Sequence, residues 1–219
     1  MGLAVSAGLF KPGSAWAQGW NKAAFETKSL ADTVKAMGGS GATESNQMAI
    51  RGALALRGER RRAVTTAVEH PAVLEPLAAA EREGLEVVRI GVDSDGRLDQ
   101  AALEAAVDER TALVSVMAAN NETGVLQPLR EVCSMARERG VPIHSDAIQA
   151  AGKIELHVRH LDVDFLSLSA HKFHGPKGTG ALMIRRGVRL KPLMLGGSQE
   201  RGRRGGTENV PGIVGLGKA

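Results

Sequence analysis

The chain has 219 residues, 43% hydrophobic and 24% charged, with 28 Lys and Arg against 24 Asp and Glu for a formal net charge of +4. That balance argues against a disordered tail and leaves no apolar stretch long enough to span a bilayer, so one large domain or two small ones are expected, away from membranes. A single cysteine excludes an intramolecular disulfide and suits a reducing, cytoplasmic setting, while 3% aromatics with no tyrosine leave the core aliphatic and argue against a nucleic-acid module.

Residues 1–39 have the least regular pattern. The opening MGLAVSAGLFKPGSAWAQ holds a short apolar run, but no positive charge precedes it and Lys11 and Pro12 interrupt it, so a secretory signal is not expected. Residues 23–38, AAFETKSLADTVKAMG, read as a helix stopped at Gly38-Gly39. From residue 40 the pattern becomes regular. Helices are expected over 43–58, 72–84 (opened by Pro71, closed by Gly84), 98–110 and 128–140. Strands are expected over 63–70, 85–92, 111–120, 141–146, 163–170 and 180–187, with a DSDGR turn at 93–97. The run TALVSVMAAN is almost continuously apolar, as a strand buried on both faces should be. Strands alternating with helices predict an α/β fold, a mostly parallel sheet flanked by helices.

Polar residues collect where these strands end: Glu69-His70, Asn120-Asn121, Ser145-Asp146 and the run Ser169 to Lys172. Open α/β sheets bind ligands outside the carboxyl ends of their strands, so the four clusters should meet in one crevice. Lys172 is a candidate for a covalent bond to a carbonyl cofactor, against the ordinary reading of a surface lysine. Asp146 ends an apolar strand and needs a cationic or donor partner, and a Lys with an Asp is the pairing that pyridoxal phosphate (PLP) uses. His70 either stacks on a ring or caps the helix that follows. The turn GGSGATESN (38–46) offers backbone N–H groups to a phosphate, or is a plain helix start.

Other features read as structural. The sequon Asn121-Glu122-Thr123 lies at a strand end and is incidental, and no histidine pair has metal-site spacing, with His157 and His160 placed at the surface. Leu129, Val132, Cys133 and Ala136 share one helix face, which makes Cys133 a core thiol. The arginines of RGERRR (57–62) read as a solvated loop.

Together these segments resemble the cysteine desulfurases of the NifS/IscS type, within the class V aminotransferases of fold type I. The resemblance rests on SGATESN (40–46), VEHPAVLEP (68–76), NNETGVLQPL (120–129), HSDAIQAAGKI (144–154), the stretch 162–187 around SAHKFHGPKG, and GGSQERGRRGGTENVPGIVGLGKA (196–219). It covers 40–219 as a PLP-binding large domain and leaves 1–39 as a divergent segment in which KAMGG replaces the family's strand. It implies that Lys172 binds PLP covalently, Asp146 pairs with the pyridine nitrogen, and His70 stacks on the ring and assists proton transfer. Ala42, Thr43, Ser169 and His171 would hold the phosphate, Gln149 the ring oxygen, and Asn121 would lie near the substrate carboxylate. Thr207 would reach the phosphate in the neighbouring subunit of a homodimer. The implied reaction takes sulfur from L-cysteine, leaves L-alanine, and passes the sulfur to an acceptor or iron–sulfur scaffold protein.

Set against the family, the sequence departs at Ser198 and Gly205, and these 219 residues are expected to stop short of the C-terminal small domain with the persulfide cysteine and the substrate-gripping arginine. Impaired activity is therefore expected of this chain. The alternatives are a non-catalytic PLP-binding or dimerisation fragment, another class V enzyme such as a selenocysteine lyase, and a basic nucleic-acid binder.

Overall fold

The structure, a computed structural model, describes the backbone of residues 34–39 and residues 41–219. In chain order the elements are β1 (Val34–Gly39), α1 (Ala42–Leu54), β2 (Arg62–Thr66), α2 (Pro71–Arg82), β3 (Glu86–Ile90), α3 (Gln100–Ala106), β4 (Thr111–Ser115) and α4 (Leu129–Glu138). They continue with β5 (Ile143–Asp146), α5 (Val158–Leu161), β6 (Phe165–Ser169), a 3₁₀ turn (Ala170–Lys172), β7 (Gly180–Arg185), α6 (Gln199–Gly202) and α7 (Val210–Lys218). The strands form one sheet in the order β1-β7-β6-β5-β4-β2-β3. All run parallel except β7, which is antiparallel to both neighbours.

The strands are apolar on both faces because helices cover both. Alternate residues feed two cores: Ala63, Leu113, Phe165, Leu182 and Ile184 pack with α1 and α2, while Val64, Val114, Leu166, Ala181 and Met183 pack with α4 and α7. Each fully buried side chain of the size of Leu113 or Phe165 contributes roughly 1.5–3 kcal/mol. Cys133 lies in the α4-side core, fully buried, and burial pushes its thiol up to about 12.

One polar ladder crosses the sheet interior. His144 Nδ1 and Nε2 bond Ser115 Oγ at 2.8 Å and Ser167 Oγ at 3.0 Å, tying β4, β5 and β6 together. Burial pushes His144 down to about 3, so the imidazole is neutral and its bonds are structural.

Two expectations need correction. Residues 34–39 are a strand paired with β7, not the end of a helix, and so the strand thought to be replaced by KAMGG is present. The open backbone edge of β7 outweighs the local helix preference of Lys35, Ala36 and Met37; the remainder of that expected helix lies outside the described residues. The arginine cluster is not simply a solvated loop. Arg60 donates to the carbonyls of Thr111 and Gly140, and Arg62 is buried in β2 and paired with Glu86 and Asp108.

Candidate active site

The parallel strands β2, β4, β5 and β6 end on the same side of the sheet, and antiparallel β7 begins there. At Gly180, the first residue of β7, an added Cβ would lie 2.7 Å from the carbonyl carbon of Gly41. Gly41 precedes α1 with φ +141°, a conformation that glycine adopts without strain. These two glycines bring the start of α1 against the end of β6, because Ser169 is the register partner of Gly180.

No side chain among the described residues caps the N-terminus of α1, so its first backbone N–H groups and the positive end of the helix dipole are open to an acceptor. Ala42 is half-buried and Thr43 exposed. Ser169 is buried and its Oγ lies 2.9 Å from His171 Nδ1. Lys172 is the last residue of the 3₁₀ turn; it is exposed, and its amine makes no hydrogen bond or ion pair with the described residues.

At the other end of the crevice is Asp146, closing β5. It is 5% exposed and makes no salt bridge with the described residues. Its Oδ2 accepts from Asn46 Nδ2 at 2.7 Å and its Oδ1 from the Ile148 N–H at 3.0 Å. Burial pushes its carboxyl upward, and these two donors oppose that shift. His70 Nδ1 accepts the Ala72 N–H at 3.0 Å, so the capping role is present and the ring proton falls on Nε2.

The crevice therefore has a donor-rich end, built by α1, Ser169 and His171, and an acidic end built by Asp146. A buried carboxylate without a cationic side-chain partner fits a pyridinium nitrogen, and an uncapped helix start fits a phosphate. The residues present thus suit PLP, with Lys172 available for attachment.

Three predicted residues stand apart. Gln149 is half-buried three residues after Asp146, with its Oε1 held by Lys153 Nζ at 2.6 Å. Asn121 is exposed, and it is Asn120 that organises the local turn, bonding the Val68 carbonyl and the N–H groups of Glu122 and Thr123. Thr207 is exposed on a loop tied to α1 by an Arg204–Glu44 ion pair at 2.7 Å. On that loop a side chain at Gly205 would meet the backbone of Gly196.

Two residues at the site were given no role by sequence reasoning. Asn46 is fully buried beside Ala49, Ile50 and Ala53, and a polar residue on that apolar helix stripe was the available signal. Glu69 is 5% exposed at the end of β2; the argument applied to Asp146 also applies to it.

Residues 39–219 match the family described as aminotransferase class-V. The chain belongs to the class V aminotransferase family. Within that family it is similar to a cysteine desulfurase of Nostoc sp., 54% identical over 177 residues, which are 81% of this chain and 44% of that protein. A cysteine desulfurase of Gluconacetobacter diazotrophicus is 55% identical over 181 residues, 82% of this chain and 45% of that protein. Among solved structures, a NifS-like protein superposes with a TM-score of 0.81 at 45% identity, covering 84% of this chain and 51% of that one. SspA in complex with cysteine gives a TM-score of 0.83 at 36% identity, covering 93% and 59%. This class V chain thus spans about half the length of the relatives it matches. No helix among its described residues is long and apolar enough to cross a membrane.

Proposed function

We propose that this chain carries the cofactor-binding part of a PLP-dependent cysteine desulfurase. Residues 40–219 are its large domain, and residues 34–39 join the same sheet as the edge strand β1. The observation that carries the reading is Asp146, a buried carboxylate bonded by Asn46 and Ile148 at the end of β5; α1 starts uncapped, and Lys172 follows the end of the neighbouring strand β6. PLP, when bound, supplies the electron sink that allows bonds of an amino acid to be broken. Lys172 is its attachment point. Asp146 holds the ring nitrogen protonated, and the N–H groups of Ala42 and Thr43 with Ser169 and His171 hold the phosphate. Gln149 faces the ring oxygen once released by Lys153, and Asn121 lies toward the substrate carboxylate. In the geometry seen here His70 presents Nε2–H, so it can donate but not accept a proton without breaking its cap bond.

The net reaction breaks the C–S bond of L-cysteine. An acceptor thiol gains that sulfur as a persulfide, and L-alanine leaves. A homodimer fits an exposed Thr207 and the apolar Leu195, 84% exposed, because both lie on a surface a second subunit can cover. The sulfur then suits an iron–sulfur scaffold or a thio-cofactor pathway in a reducing, cytoplasmic compartment.

A second reading is favoured by one observation. The sole thiol, Cys133, is fully buried, so these 219 residues alone act as a PLP-binding and dimerisation unit that needs a thiol from elsewhere for sulfur transfer. The test of the main reading is an absorbance spectrum with PLP, before and after L-cysteine. A visible band that L-cysteine shifts is expected, and Lys172→Ala should lose the borohydride-fixed adduct. No band in the wild-type protein would refute the reading; an adduct that survives in K172A would refute the role of Lys172.

A further inference from the structure

Glu69 has no task in that reading, yet it is as deeply buried as Asp146, each 5% exposed. Its Oε1 receives two donors, the Met117 N–H at 2.7 Å and Thr66 Oγ1 at 2.9 Å. Its Oε2 is sealed from solvent with no hydrogen-bond partner among the described residues. Asp146 differs, because each of its oxygens receives a donor. The two carboxyl groups are close enough for the charge of Asp146 to act on Glu69. Two neighbouring anions in a water-poor crevice are costly, and one proton relieves the cost. The bonding pattern says where that proton resides: on the bare Oε2, and not on Asp146.

Resting on the functional reading above, we propose that Glu69 is a positioning residue held as the neutral acid. Its Oε1 braces the end of β2 against the segment after β4 and so fixes the approach of His70. Of the two carboxyl groups, only Asp146 then carries the negative charge that pairs with the cofactor ring. The titratable groups around Glu69 are Asp146, from the end of β5, and His70, its neighbour in the chain; Thr66 and Met117 face it as neutral donors. Burial, with Asp146 adding to it, pushes Glu69 from an ordinary 4.5 to about 8. The folded state therefore keeps this proton at pH values where the unfolded chain has lost it. The stabilisation is full below about 4.5 and is lost as pH rises through about 8.

The experiment is infrared spectroscopy of the protein without cofactor, paired with PLP titration of the whole chain. At neutral pH a protonated-carboxyl band is expected that fades near pH 8, is absent in Glu69→Gln, and persists in Asp146→Asn. Glu69→Gln, which keeps the shape of the neutral acid, should bind PLP as the wild type does. Glu69→Ala should weaken binding by about tenfold or more, the size of a lost buried acceptor. If Glu69→Ala does not fold, the band and the Gln rescue still decide. A missing band at neutral pH, or a Gln variant that binds PLP as poorly as Ala, overturns the proposal. A band in a wild-type chain that takes up no PLP upholds the neutral acid and overturns only the functional reading.

Discussion

Asn46→Ala is the sharpest probe of the acidic end of the crevice. Asn46 is fully buried, and its Nδ2 donates to Asp146 Oδ2 at 2.7 Å. A hydrogen bond to a charged group is worth about 1.5–3 kcal/mol. The same side chain holds a buried Oδ1 with no partner among the described residues, and its removal returns roughly 1 kcal/mol. The net loss is then about 0.5–2 kcal/mol, or a fall in melting temperature of about 1–8 °C for a domain of this size. Urea unfolding of the protein without cofactor should read that loss. The sign with pH also follows. Burial raises the Asp146 carboxyl and the Asn46 bond opposes that rise, so the substitution removes support from the ionised form. Its penalty should grow as pH climbs through the titration of Asp146 and shrink on the acid side. A double-mutant cycle isolates the pair: in an Asp146→Asn background, Asn46→Ala should cost much less. An equal cost in both backgrounds would show that Asn46 acts by packing alone, and the electrostatic account of the crevice would fail.

Two further perturbations test other parts of the site. Gly152 has φ +74°, and an added Cβ would lie 2.7 Å from the Cβ of Phe173, the residue after Lys172. Gly152→Ala should cost about 1–2 kcal/mol for the backbone alone and should turn Lys172 away, reducing borohydride-fixed PLP; full retention of the adduct would show that Phe173 does not set the lysine. Cys133→Ser should cost about 1–3 kcal/mol by placing a hydroxyl in the core and leave PLP uptake intact, and the native thiol should resist labelling; rapid labelling of the folded protein would contradict its burial.

Much of the fold was legible because its signals are local. β-branched and apolar runs bounded by turn residues mark β2, β4, β6 and β7, and Pro71 marks the start of α2 where the structure begins it. The clustering of Glu69-His70, Asp146 and Ser169 to Lys172 at strand ends followed from the general rule for parallel sheets. β1 was not legible, since Lys35, Ala36 and Met37 have helix-compatible propensities and only the distant edge of β7 makes them a strand. Arg62 was missed for a related reason: its burial depends on Glu86 and Asp108, 24 and 46 residues away in the chain. Asn46 and Glu69 were hidden differently. Each lies inside a recognised motif, but its importance comes from a hydrogen bond to an element distant in the chain, to Asp146 from α1 and to Met117 from the turn after β2.

The Asn46–Asp146 bond lets one helix serve both parts of the proposed site. Ala42 and Asn46 are four residues apart, a rise of about 6 Å along α1. The uncapped N–H groups thus sit one helical turn from the amide that holds Asp146. A shift of α1 along its axis would move the donor-rich and acidic ends together, so their separation is set by helix geometry and not by loop conformation. Glu44, in the first turn between them, would place a negative charge beside those N–H groups. Its pairing with Arg204, in which both side chains are at least 84% buried (exposures of 16% and 14%), draws that charge toward the 199–206 loop instead. In the proposed reading the start of α1 is open to an anionic ligand, and the loop that carries Thr207 is anchored to the same helix.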